Sequence, residues 1–382
     1  MHMKRQIAVL LLVIFMMMMP FVAFAEQATL SETDDLRAAV LMEVQTGTRL
    51  WAKEADSAYA VAGLSKLPAI LTLAQAFDDG LITESTLMQV SQHADSVTGP
   101  TAFLENAEQI AASELIKAAV MISAGDAIMA LGENAFGSES VFTDNINVTL
   151  RQLGLNKTMT DALGTNMQFT PWELAVLGAA AQSSGTFSKY CALYLDRIAH
   201  PDGRETELVN ANRLLKNYSG CSGLLTGSSP TDGYSGVFSV QRSGTQLIAV
   251  VVGAQSAVRR TAGAVALLDY GFANFRAETL AGAQTPFVTA VPVRDGNVKT
   301  VDLVPEKTHT VVLESTQGKL TKQLDLPEYL EAPLLPDEAV GSVTFLSEAG
   351  EEVLIMPLYP AHEVEAFGMR DILLRIAGMF VA

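Results

Sequence analysis

Lys66 closes the run Ala62-Gly63-Leu64-Ser65-Lys66, at the head of an apolar stripe at positions 67, 70, 71, 74 and 77. A desolvated lysine near other polar groups can take the proton of a hydroxyl and turn it into a nucleophile. That hydroxyl belongs three residues earlier, because i and i+3 on a helix lie about 300° round and about 4.5 Å along, on one face. Position 63 is glycine, and no lysine of the chain has a serine three places before it. Ser65 is about 100° from Lys66 and about 200° from position 63, so it is expected to face away from any groove at that turn. Thr186 and Thr316 stand three places before Lys189 and Lys319, but in other segments. The histidines (His2, His93, His200, His309, His362) and the cysteines (Cys191, Cys221) form neither HExxH nor CxxC, so neither a metal site nor a cofactor is expected.

The elements that would position these groups are legible from pattern. Leu36 to Val44 reads as a buried strand, and Thr46-Gly47 turns it into a second strand at Thr48 to Lys53. Ser65 to Asp78 is a helix with Pro68 in its first turn, where a missing N–H costs little. Ala111 to Ala135 is a helical hairpin broken at Ser123-Ala124-Gly125, and Thr170-Pro171-Trp172-Glu173 carries the signature of a capping box. Gly233 to Arg242 and Gln246 to Gly253 form a hairpin, followed by a helix over Ser256 to Phe275. Beyond about residue 280, short alternating runs between Gly, Pro and acidic clusters predict a small all-β module. Met369 to Phe380 places its apolar residues on one helical face, either docked on that module or lying in a membrane interface.

Composition narrows the classes. The 382 residues are 49% apolar and 18% charged, which excludes a largely disordered chain. A formal charge of −17 argues against nucleic acid as a partner, because phosphate contacts need clustered Lys and Arg. Residues 1–25 read as an export signal: Lys4 and Arg5, an apolar run from Ile7 to Met19, then Ala23-Phe24-Ala25 for cleavage. Cys191 and Cys221 would then meet an oxidising compartment, where free thiols and a disulfide are both open to them.

Four stretches taken together resemble one family: AVLMEVQTGTRLWAKEADSAYAVAGLSK, LIKAAVMISAGDAIMALGENAFGS, LVNANRLLKNYSGCSGLLTG and QLIAVVVGAQSAVRRTAGAVALLDYGFANF. Their order is similar to that of the serine-type D-alanyl-D-alanine carboxypeptidases, low-molecular-mass penicillin-binding proteins of the bacterial envelope. The resemblance implies a β-lactamase/transpeptidase-like α/β (α+β) domain with a central antiparallel sheet flanked by helices. A small all-β sandwich-like domain and the C-terminal amphipathic helix would follow. The expected boundaries are residues 1–25, 26–278, 279–361 and 362–382.

The family works by acyl transfer through S-x-x-K, S-x-N and K-T-G. On this chain the resemblance places the nucleophile position at Gly63 with Lys66 retained. It places the second motif at Ser123-Ala124-Gly125 with glycine in place of asparagine. The third falls at Leu225-Thr226-Gly227, with leucine in place of lysine. Three departures in separate segments imply a pseudoenzyme that binds peptidoglycan stem peptide or cell-wall enzymes outside the cytoplasm. The alternatives are an active carboxypeptidase with an unrecognised nucleophile, and an interaction protein that uses its β-module or terminal helix. A groove filled by side chains such as Leu225 would favour the last.

Overall fold

The computed structural model describes residues 30–368. The predicted export signal and the helix predicted at Met369 to Phe380 lie outside them. β1 (Ala38–Glu43) is buried at every residue and sits inside an antiparallel sheet beside β2 (Thr48–Lys53). The sheet runs β3-β4-β5-β1-β2, with β3 at Thr226–Ser229, β4 at Gly233–Arg242 and β5 at Thr245–Ala254. Val40 pairs with both Val250 and Ala52, which fixes the register at the centre.

Both faces are covered. Leu247 and Leu41 approach Gly271 of the helix Ala257–Asn274, while the next residue on β5, Ile248, approaches Gly178 of Pro171–Ser183. Successive strand residues point to opposite faces, so the two helices sandwich the sheet. The helix Leu67–Asp78 is buried almost all round, as a helix through the middle of a core must be. Thr170 and Glu173 form the predicted capping box.

The main core spans residues from Ala38 to Val252. A second core gathers Leu303, Val343, Phe345, Met356 and Leu358 of a β-rich C-terminal part. Two local expectations are corrected there. The predicted helix to Phe275 ends at Asn274, and the chain enters a strand, Phe275–Ala281, paired with His309–Glu314. Residues 362–368, assigned to the terminal helix, are not helical: Val364 is buried and bridges Leu334, and Ala366 bridges Gly296. Burying Val364 in the β core is what a helix starting at 362 would forfeit. Cys191 and Cys221 are free thiols, and burial pushes the Cys191 thiol up to about 11.

Candidate functional site

Where the edge strand β3 meets the turn ahead of Leu67–Asp78, the structure opens a cleft of about 870 Å³. The turn, Ala62–Lys66, is a 3₁₀ helix rather than α. With three residues per turn, positions 63 and 66 eclipse, so Gly63 and Lys66 share a side more closely than an α-helix would allow. Gly227 of β3 packs directly on that turn. A Cβ on Gly227 would stand 2.8 Å from Gly63 N and 3.1 Å from Leu64 N, closer than backbone atoms tolerate. A Cβ on Gly63 would meet only Gly227 Cα, at an ordinary 3.8 Å. Position 63 therefore has room for a side chain, whereas position 227 demands glycine.

Lys66 is 8% exposed, and its Nζ donates to the Ser123 main-chain carbonyl at 2.9 Å. Burial pushes the amine below the ordinary lysine range, and the Asp126 carboxylate pulls it partway back. Asp126, itself 2% exposed, accepts from the amides of Ala102, Leu104 and Ala127. The carbonyl that holds Lys66 is presented by a left-handed residue: Ser123 ends the helix Ala112–Ile122 at φ 54°. The Ser123 side chain makes no hydrogen bond among the described residues.

Gly125 opens the following helix, Gly125–Phe136, and donates to the Pro100 carbonyl at 2.8 Å. A Cβ there would lie 2.7 Å from Val97 Cγ1 and 3.1 Å from Lys66 Nζ. Val97 thus fills the space in which a side chain at 125 would begin. Leu225 is 2% exposed and joins the main core, while still bordering the cleft floor. It leaves the cleft open.

The structure brings Gly63, Lys66, Ser123, Leu225, Thr226 and Gly227 to one cleft, with Gly125 in contact with Lys66. Ser65 departs from expectation. It borders the cleft rather than facing away, because the 3₁₀ turn rotates it further than an α turn would. Its hydroxyl is nevertheless committed, donating to the Leu163 carbonyl at 3.1 Å.

Sequence pattern gave no notice of Arg260, which borders the cleft at 5% exposure. Its Nη1 and Nη2 reach only the carbonyls of Ser235 and Ala211, at 3.5 and 3.4 Å, and its Nε has no partner. The Arg259-Arg260 pair after Ser256 was the available signal, but nothing local says which arginine is buried.

Residues 25–256 match the family model described as D-alanyl-D-alanine carboxypeptidase. Residues 275–366 match that of the penicillin-binding protein 5 C-terminal domain. The chain is 26% identical over 385 aligned residues to D-alanyl-D-alanine carboxypeptidase DacF of Bacillus subtilis, covering 98% of each. It is 28% identical to DacC of Escherichia coli, covering 90% of this chain and 88% of that one. Among solved structures, penicillin binding protein 5 from Haemophilus influenzae superposes with a TM-score of 0.77 at 22% identity, over 89% of this chain and 99% of that one.

Proposed function

The chain belongs to the D-alanyl-D-alanine carboxypeptidase family, and we propose that it is a member without acyl transfer that keeps its cleft as a binding surface for peptidoglycan stem peptide. One observation carries this reading: Gly63 stands three residues before a buried Lys66, with space for a side chain but no oxygen to activate. Without that oxygen no ester to the protein forms, and removing the nucleophile of a serine hydrolase costs about 10⁶ in turnover. The nearest hydroxyl on the same turn, Ser65, is bonded to the Leu163 carbonyl. Leucine at 225 also forgoes a charge-assisted contact worth roughly 1.5–3 kcal/mol.

Binding needs less than catalysis. β3 pairs with β4 on one side only, so its other edge can take an extended peptide as an added strand. The N–H of Gly63, in the first turn of its helix, has no carbonyl within that helix to donate to. The open cleft supports this reading over a purely interaction-based role, which called for a filled groove. The proposed setting is extracytoplasmic, after export through residues 1–25. A catalytic-type domain ending at Asn274 and a β-domain from Phe275 onward would be presented to stem peptide or to cell-wall enzymes. Contact of residues 369–380 with the membrane surface belongs to the same proposal.

Fluorescent penicillin is the direct test, because labelling requires acylation. The wild-type chain is expected to give no band. A variant with Gly63→Ser, Gly125→Asn and Leu225→Lys, plus Val97→Ala to clear space for the asparagine, is expected to gain one. A labelled wild-type band overturns the reading. Titration with a D-Ala-D-Ala-ended peptide tests the cleft separately, and absence of saturable binding removes that half.

A further inference from the structure

The stretch that runs from the cleft edge at Pro100 to the helix Ala112–Ile122 sets one side chain apart. Ala102 and Leu104 are buried, and between them Phe103 is 68% exposed at φ 58°. That left-handed backbone is an outlier for a bulky residue, and glycine would adopt it freely. No other aromatic ring among the described residues is exposed. Water therefore meets a large apolar ring held in a costly conformation, from which the core gains nothing.

The surroundings fix the ring in place. The buried Asp126 carboxylate accepts from the amides on either side, Ala102 N at 2.9 Å and Leu104 N at 3.2 Å. Arg204 Nη1 donates to the Phe103 carbonyl at 3.1 Å, and Thr206 Oγ1 to that of Ala102 at 3.2 Å. Strain that is over-determined by its surroundings clusters at ligand clamps.

Phe103 borders a cavity of about 370 Å³ together with Asp95, Glu105 and Arg204. Arg204 Nη2 and Glu105 Oε1 stand 3.2 Å apart, so a donor and an acceptor lie beside the ring. Val97 lines both this cavity and the cleft, which makes the two spaces neighbours. A protein partner or a lipid surface calls for a contiguous apolar patch, which one ring set among charged side chains does not supply. A pyranose does match. Its axial C–H groups carry partial positive charge and lie on the negative face of an aromatic ring, while its hydroxyls both donate and accept.

We propose that Phe103 is the stacking platform of a sugar subsite, with Arg204 and Glu105 bonding the hydroxyls of an N-acetylhexosamine ring. The choice of sugar rests on the cleft reading, because a stem peptide hangs from a strand of such rings and Val97 places the two sites side by side. Peptide lies in the cleft and its glycan over Phe103. No atom of Gly63, Lys66 or Ser123 takes part.

Chitotetraose, an N-acetylglucosamine oligomer that carries no peptide, is titrated into the full chain, with saturation transfer to the sugar C–H protons as a second readout. Saturable binding is expected. Phe103→Gly should weaken it about tenfold and Phe103→Trp should keep it, while a D-Ala-D-Ala-ended peptide binds all three proteins alike. The glycine variant also separates a binding role from a packing one. Its denaturant midpoint is expected to equal or exceed that of the wild type, because the strain leaves with the side chain. Absence of saturable sugar binding, unchanged affinity in Phe103→Gly, or a lowered midpoint overturns the proposal. Peptide binding without sugar binding sinks this site alone. Sugar binding that Phe103→Gly weakens, without peptide binding, sinks the cleft reading alone.

Discussion

Lys66 and Ser123 are joined through a main-chain atom: the lysine Nζ donates to the serine carbonyl oxygen at 2.9 Å. The amine is therefore anchored by the left-handed end of the helix Ala112–Ile122, whatever side chains surround it. The lysine thus has a structural role that needs no nucleophile.

The anchored amine makes stability depend on pH. Its folded pKa lies below the ordinary 10.5, with burial as the larger cause and Asp126 opposing it. The unfolded chain binds this proton more readily, so the penalty is full below the folded pKa. It is relieved as pH rises from there towards 10.5. Lys66→Met is expected to remove that upward slope. Urea unfolding of both proteins, from neutral pH to about pH 10, checks it. Parallel stability curves refute the assignment.

Gly227 and Gly63 should respond differently to the same added methyl. Gly227→Ala forces a Cβ against Gly63 N and Leu64 N and is expected to cost about 1–3 kcal/mol and to weaken peptide binding. Gly63→Ala meets nothing closer than 3.8 Å and should be neutral or stabilising by up to about 1 kcal/mol. Denaturant midpoints of the two variants measure the contrast.

At position 125 the obstacle is Val97. Gly125→Asn alone is expected to destabilise by about 1–3 kcal/mol, since its Cβ begins 2.7 Å from Val97 Cγ1. Val97→Ala should recover part of that cost. A double-mutant cycle reads the coupling, which should be at least about 0.5 kcal/mol if the two side chains compete for one space.

Local devices were the legible part. The Thr170–Glu173 capping box, the β1–β2 hairpin and the break at Ser123 each follow from a few adjacent residues, and each is present. What escaped depends on contacts distant in sequence. The facing of Ser65 turned on the helix type of one short turn, which apolar spacing does not encode. The burial of Arg260 and the pressure of Val97 on Gly125 arise from segments brought together only by folding. The β-module was seen as strands, but its start at Phe275 was hidden because the helix before it runs into the strand without a loop.

The place of Val97 couples two segments far apart in sequence. An asparagine at 125 meets a volume already occupied from another loop, so an amide fits there only together with a change at Val97. Any redesign of this corner of the cleft has to treat the two positions as one unit.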